Sequence, residues 1–164
     1  MITSCSVVQE ETLPPAKQEG KNTFRCLVDG EVFVASREGV NLAKIGVTFE
    51  YPNHFGVLGR GYLSRYEDDD EAASVYFRMI DSTVTIGRDK IYLSEQIRKQ
   101  GGLFKCLSEY WTFGETSGSL KINKLDTLNK IIAGAFWFYA RSEEGEIVEV
   151  REGRFDVKYI PSRN

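Results

Sequence analysis

Ser117–Tyr159 reads SGSLKINKLDTLNKIIAGAFWFYARSEEGEIVEVREGRFDVKY, and this stretch decides the fold. Ala135 to Ala140 (AFWFYA) lies between Gly134 and the polar run Arg141-Ser142-Glu143-Glu144-Gly145. It is aromatic in character and too short for a helix, so it reads as a strand. Alternation puts Phe136, Phe138 and Ala140 on one face and Ala135, Trp137 and Tyr139 on the other. Both faces are apolar, the pattern of a central strand or of one covered on each side. Ser142-Glu143-Glu144-Gly145 is a turn signal, Gly145 being free to take φ > 0. Glu146 to Val150 returns as a second strand with Val148 and Val150 on one face, and Glu152-Gly153 reads as a further turn. Phe155, Val157 and Tyr159 then alternate with Arg154, Asp156 and Lys158, giving one dry face and one wet face. Upstream, Leu120 and Ile122 alternate with Ser119, Lys121 and Asn123 in the same way. The pattern predicts an antiparallel meander.

Three strings of this stretch carry a resemblance: G-S-L-K-I-N-K-L-D, I-I-A-G-A-F-W-F-Y-A and G-E-I-V-E-V-R-E-G-R-F-D-V-K-Y. At the other end of the chain, Leu13-Pro14-Pro15-Ala16, Gly20-Lys21-Asn22-Thr23-Phe24 and Cys26-Leu27-Val28-Asp29-Gly30 join them. Together they resemble Bacteroidota lipoproteins of unknown function, the family catalogued as domain of unknown function 6252. The middle, Arg37 to Glu115, matches only loosely. The resemblance implies a β fold and a place in the cell envelope, as an outer-membrane lipoprotein on the periplasmic or the surface side. It carries no activity and no catalytic residue across.

At 164 residues the chain is long enough for one domain with a sizeable core. Aromatics make up 12%, and 15 Gly stand against 4 Pro, a balance suited to short strands joined by tight turns. The net charge of −3 argues against a nucleic-acid footprint, which is usually basic. No run of 18 apolar residues is present to form a membrane-spanning helix.

The chain opens Met1-Ile2-Thr3-Ser4-Cys5, small residues running up to a cysteine. This looks like a bacterial lipobox, with Cys5 the residue that would carry the lipid and tie the chain to a membrane. The charged and apolar regions of a signal peptide do not precede it, so the expectation is a truncated signal peptide. Ser6 to Asn22 is polar, holds both Pro and Gly and has no period, which reads as a flexible tether. Gln9-Glu10-Glu11 loosely resembles an acidic surface-export tag, although a solvated linker explains it as simply. The division is therefore 1–22, lipobox-like terminus and linker, and 23–164, a single β domain.

Phe24 to Val28 and Glu31 to Ala35 form an expected hairpin about Asp29-Gly30. Val47 to Tyr51 and Phe55 to Ser64 are expected as strands about Pro52-Asn53. Gly56, Gly59 and Gly61 give a G-x-x-G-x-G spacing, but their surroundings read as strand, so close backbone approach explains them better than a phosphate loop. Tyr66 to Glu71 is an acidic run; Asp68, Asp70 and Glu71 are the oxygen ligands it could offer a Ca²⁺ ion. A solvated loop that keeps a sheet edge soluble is the commoner meaning of such a run. Val75, Phe77 and Met79 alternate as a strand, and Thr83 to Ile86 with Lys90 to Leu93 suggest a hairpin about Gly87-Arg88-Asp89. Ser94 to Gln100, between an N-cap serine and Gly101, is the one helix candidate, and Leu103 to Phe113 resumes strand.

His54 is the only histidine, in a Pro-Asn-His turn, so a multi-histidine metal site is excluded. With Cys5 lipidated, Cys26 and Cys106 remain; two buried thiols are the commoner outcome than a disulfide, and Cys26 with His54 is a weak nucleophile–base pairing. Glu109, Glu115, Asp126 and Asp156 could supply a pair of hydrolytic carboxylates, but no spacing selects two of them, and Asp126 more simply caps a turn. The better lead is Trp137 with Tyr139. A period-two apolar stripe is usually core; left uncovered, these two rings would form a flat stacking platform for a sugar or a partner.

The sequence thus predicts an all-β antiparallel β-sandwich or flattened barrel of about eight to ten strands with one short helix. Its expected role is that of a non-enzymatic, cofactor-free, monomeric cell-envelope lipoprotein that binds a ligand, carbohydrate or an envelope protein. A lipocalin-like carrier and a carbohydrate-active hydrolase are the alternatives. A carrier needs an apolar cavity, which Phe136, Phe138, Phe155 and Tyr159 would close if they filled the core.

Overall fold

The computed structural model describes residues 13, 18–36, 44–50, 54–63, 73–80, 89–91, 100–105, 109–112 and 118–160. Among these residues eleven strands are present: β1 (Thr23–Val28), β2 (Glu31–Ala35), β3 (Ile45–Glu50), β4 (His54–Tyr62), β5 (Ala73–Ile80) and β6 (Asp89–Ile91) in the first part. β7 (Gln100–Lys105), β8 (Glu109–Thr112), β9 (Gly118–Asp126), β10 (Ile131–Arg141) and β11 (Ile147–Lys158) follow. Every pairing among them is antiparallel.

The ladder β11-β1-β2-β4-β5-β7-β8-β10 closes on itself through β10–β11. Two of its links are short. β2 meets β4 only at Val34↔Tyr62 and Ala35↔Gly61, and β8 meets β10 only at Thr112↔Ala140 and Trp111↔Arg141. Beyond those corners the free edges of β4 and β10 are taken by β3 and by β9 with β6. The result is an all-β flattened barrel, or equally a sandwich of β3-β4-β5-β7-β8 on β2-β1-β11-β10-β9-β6 pinned at two corners.

Phenylalanine fills the space between the layers. Phe24 stands 5.1 Å from Phe136 and 6.2 Å from Phe77, while Phe77 lies 4.6 Å from Phe136 and 5.3 Å from Phe155, ring centre to ring centre. Phe55, Phe33, Phe104 and Phe138 are fully buried around them, and Phe49 closes one end on Tyr159 at 4.4 Å. Each such ring contributes about 1.5–3 kcal/mol by burial, so this cluster is the main stabilising element of the fold. β4 can lie against it because Gly59 leaves room: a Cβ there would sit 2.4 Å from the Phe24 ring. The glycines of the G-x-x-G-x-G spacing therefore serve packing inside a strand, as their surroundings suggested.

Several boundaries differ from the sequence reading, each for a local reason. Glu152-Gly153 is no turn, because β11 runs through it unbroken. The register Phe136↔Gly153 and Phe138↔Val150 sets three steps of β11 against two of β10, a β-bulge with Glu152 at φ 49°. The bulge moves the inward set from Val148 and Val150 to Gly153, Phe155 and Val157, which is why the alternation looked like two strands. Leu103 to Phe113 is not one strand either: β7 and β8 pair as a hairpin with Lys105 opposite Glu109. Asp89 begins β6 against Lys121, while the rest of the expected hairpin, 83–88 and 92–93, lies outside the described residues; Gln100 opens β7 instead of closing a helix. The remainder of that helix candidate, 94–99, lies outside the described residues. His54 is the first residue of β4, half-buried between Glu50 and Ile80, not a turn residue.

The end of the expected tether is also held. The outward-facing Asp156 is only 2% exposed, because its carboxylate accepts the backbone N–H groups of Glu19 (3.0 Å), Gly20 (2.7 Å) and Lys21 (3.1 Å). Asn22 Oδ1 accepts the Lys158 N–H at 2.9 Å, and Lys124 Nζ donates to the Gln18 carbonyl at 2.9 Å. Residues 18–22 thus form a strap across β11, β10 and β9, with Gly20 at φ 69° packed against Ile131 and Lys158. Leu13, further upstream, is buried as well.

Candidate functional site

The strap divides the outer face of β10. Ile131 and Ala133 are buried at its covered end, whereas Ala135 is half-buried and Trp137 and Tyr139 are each 39% exposed. The opposite face of the same strand, Phe136, Phe138 and Ala140, enters the core. β10 is therefore central and doubly apolar, as its sequence indicates, yet its outer stripe is covered over only half its length.

Trp137 stands between two features of the neighbouring strands. On one side it is registered with Ser119 of β9; on the other it faces the β11 bulge at Arg151 and Glu152. The bulge exists where the Phe136 ring presses from beneath: a Cβ on Gly153 would lie 2.5 Å from that ring. Beside the indole and the bulge lies a groove of about 330 Å³ lined by Ser119, Lys121, Ala135, Trp137, Glu152 and Arg154. Arg154 and Glu152 approach to 3.9 Å along its β11 flank. The lining thus combines an aromatic ring, a hydroxyl, two cations and a carboxylate within one shallow depression.

Tyr139 is fixed beside it. Its hydroxyl donates to Glu149 Oε1 at 2.8 Å, and the other oxygen of that carboxylate meets Arg151 Nε at 2.9 Å. The bond to Glu149, and then the carboxylate's charge, push the phenol pKa above its ordinary value. The Trp137 and Tyr139 rings lie 5.8 Å apart at 75°, so they make an angled corner and not the flat platform expected of them. A flat ligand can lie on one of these rings but not on both.

Beneath Trp137 a slit between β5, β9 and β10 is lined by Phe77, Met79, Leu120, Phe136 and Phe138. It offers about 10 Å³ of water-sized space, at most one water molecule.

The other candidates are dispersed. Cys5, the acidic trio Asp68, Asp70 and Glu71, Cys106 and Glu115 lie outside the described residues. Cys26 is a buried free thiol whose pKa is pushed up by burial, the reverse of what a nucleophile requires. Glu109 pairs with Lys105 at 2.8 Å. Asp126 accepts from Asn129 N at 2.9 Å and Asn129 Nδ2 at 2.8 Å, which caps the β9–β10 turn and holds its carboxyl below the usual range. Asp156 is the strap's anchor. Among the described residues no cluster of three or more His, Cys, Asp or Glu could hold a metal ion.

Sequence reasoning found Trp137 and Tyr139 but missed Ser119, Lys121, Glu152 and Arg154. The first two appear as the ordinary wet face of a strand, and the last two as turn and strand. A cross-strand register would have shown them, and the parity break at Glu152-Gly153 was its visible trace. Set against protein-family models, curated proteins and solved structures, the chain matches none.

Proposed function

We propose that this chain is a non-enzymatic binding module of the cell envelope that takes carbohydrate in the groove beside Trp137. The observation that carries the reading is a half-exposed indole set in a groove with hydrogen-bonding groups on both flanks, Ser119 and Lys121 on one and Glu152 and Arg154 on the other. A pyranose offers an apolar C–H face to an aromatic ring and hydroxyls around its rim, so it uses both parts of such a lining. Hydrolysis of a glycoside calls for two carboxylates across the bond, and among the described residues Glu152 is the one carboxylate lining this groove. The carrier alternative draws no support from the interior, where Phe136, Phe138, Phe155 and Tyr159 are all buried in a contiguous core.

Attachment to the membrane through a lipid on Cys5 belongs to the same proposal. It rests on the Ile2-Thr3-Ser4-Cys5 string and on the resemblance of both chain ends to Bacteroidota envelope lipoproteins. Two experiments test it. A glycan array followed by calorimetry should give a ligand whose affinity falls about tenfold or more in Trp137→Ala, the loss expected for unstacking one large ring. Equal binding by the variant sinks the groove reading. Metabolic palmitate labelling of the full-length protein should depend on Cys5; label retained in Cys5→Ser removes the anchor.

A further inference from the structure

The described charges of this barrel are sorted by end. Around the turns Asp29-Gly30 and Ser142–Glu146 lie Asp29, Glu31, Glu143, Glu144 and Glu146 against one cation, Arg141. The opposite end, where the strap crosses, carries Lys21, Lys124, Lys130 and Lys158 against two solvent-facing carboxylates, Glu19 and Asp126; Asp156 there is buried under three N–H groups. Net charge is −3 for the whole chain, so this basic end runs against the composition.

The same end holds the two most exposed large apolar side chains described, Leu128 at 87% and Ile160 at 90%. Neither sits on slack chain. Leu128 is the apex of a turn fixed by both Asp126 oxygens on Asn129, and Lys130 closes it at φ 58°. Ile160 follows Tyr159, which is buried and whose N–H donates to the Lys130 carbonyl at 2.9 Å. Two fully presented aliphatic side chains on fixed backbone at one end offer an apolar surface with a contact to meet. The strap reaches this end at Gln18, whose carbonyl accepts from Lys124 two residues before Asp126.

We infer that this end is a lipid-facing surface: Leu128 and Ile160 enter the interfacial region of a bilayer while Lys21, Lys124, Lys130 and Lys158 lie against anionic headgroups. Apolar tips ringed by lysines match the two layers of an anionic membrane surface, apolar beneath and negative above. The inference deepens the envelope reading and shares its location, but it needs no acyl chain. With a lipid on Cys5, the short connection to Gln18 would keep this end at high effective concentration over the bilayer. The groove, on the outer sheet above the strap, then stays clear of the membrane.

The test uses the full chain carrying Cys5→Ser, so that anchoring and surface contact are judged separately. Flotation with vesicles of equal parts phosphatidylethanolamine and phosphatidylglycerol at low ionic strength should recover the protein, and pure phosphatidylcholine vesicles should recover much less. Leu128→Asp with Ile160→Asp should lower the partition coefficient by about tenfold or more, from loss of two buried aliphatic groups. Lys130→Gln with Lys158→Gln should lower it by about 25-fold, at roughly fivefold per lysine near the surface. Ile147→Asp, at the acidic end, should leave it unchanged. No binding to anionic vesicles, or binding that Ile147→Asp abolishes and the Leu128 and Ile160 pair does not, overturns the inference; palmitate labelling at Cys5 stands or falls apart from it.

Discussion

Replacing Asp156 should release the strap and leave the barrel standing. Its carboxylate accepts three consecutive backbone N–H groups at 2.7–3.1 Å, of which only that of Gly20 is in a buried bond. Hydrogen bonds to a charged acceptor are worth about 1.5–3 kcal/mol each, but the three do not add on deletion. Once the strap lifts, Glu19 and Lys21 hydrate, and Gly20 avoids the roughly 1–3 kcal/mol cost of an orphaned donor by doing the same. The loss is then capped at the free energy of docking the strap, which also covers Ile131 and Ala133. We expect about 3 kcal/mol for Asp156→Ala. Asp156→Asn keeps one acceptor but turns an NH₂ toward donors, and should lose about 2 kcal/mol.

Amide hydrogen exchange separates strap release from general weakening. In Asp156→Ala the Gly20 amide should exchange about 100-fold faster, the equivalent of that loss at 1.4 kcal/mol per decade. The ladder amides of β10 with β11 at Ala135 and Phe136 should keep their protection, and trypsin should cut after Lys21 in the variant well before it cuts the barrel. Unchanged Gly20 exchange would refute the reasoning. So would protection falling equally in strap and ladder, since the carboxylate would then be holding the sheet itself.

Other expectations follow from single contacts. Gly153→Ala places a Cβ 2.5 Å from the Phe136 ring at a bulge with no slack and should cost about 1–3 kcal/mol by urea unfolding. Cys26, its thiol pKa raised by burial from the ordinary 9.0, stays protonated in the native state while the unfolded state ionises. Its contribution to stability is therefore complete below pH 9.0 and falls as pH rises above it, by about 1.4 kcal/mol per unit. The difference between wild type and Cys26→Ala, measured by denaturation from pH 8 upward, should show that slope. Glu149→Gln removes the charged acceptor that raises the Tyr139 phenol pKa, so Tyr139 should titrate at lower pH in an ultraviolet difference titration.

The sequence carried the strands because period-two alternation is a local signal: AFWFYA, FDVKY and the Asp29-Gly30 hairpin all fell where they were expected. It could not carry the bulge. Glu152-Gly153 has the composition of a turn, and only the Phe136 ring across the sheet makes it a kink inside a strand. The strap failed for a related reason. EGKN lacks any apolar period, and what orders it is one carboxylate well over a hundred residues away. Trp137 was legible as a residue and illegible as a site, since whether an outward stripe is covered depends on what crosses it. Here the cover stops at Ala133.

These long-range features share one origin in the packed interior. Among the described residues the interior is filled by packed phenylalanines, and the groove proposed for recognition lies on an outer sheet face. The β11 flank of the groove is formed by Glu152 and Arg154 on either side of Gly153, at the bulge, and Gly153 packs on the Phe136 ring. The groove is thus a surface consequence of core packing. Filling Gly153 should disturb the groove as well as stability, so ligand binding should fall along with the urea midpoint in Gly153→Ala. Trp137→Ala should lose binding at an unchanged midpoint. If Gly153→Ala lowered the midpoint and left ligand binding unchanged, the bulge would not be the element that shapes the groove.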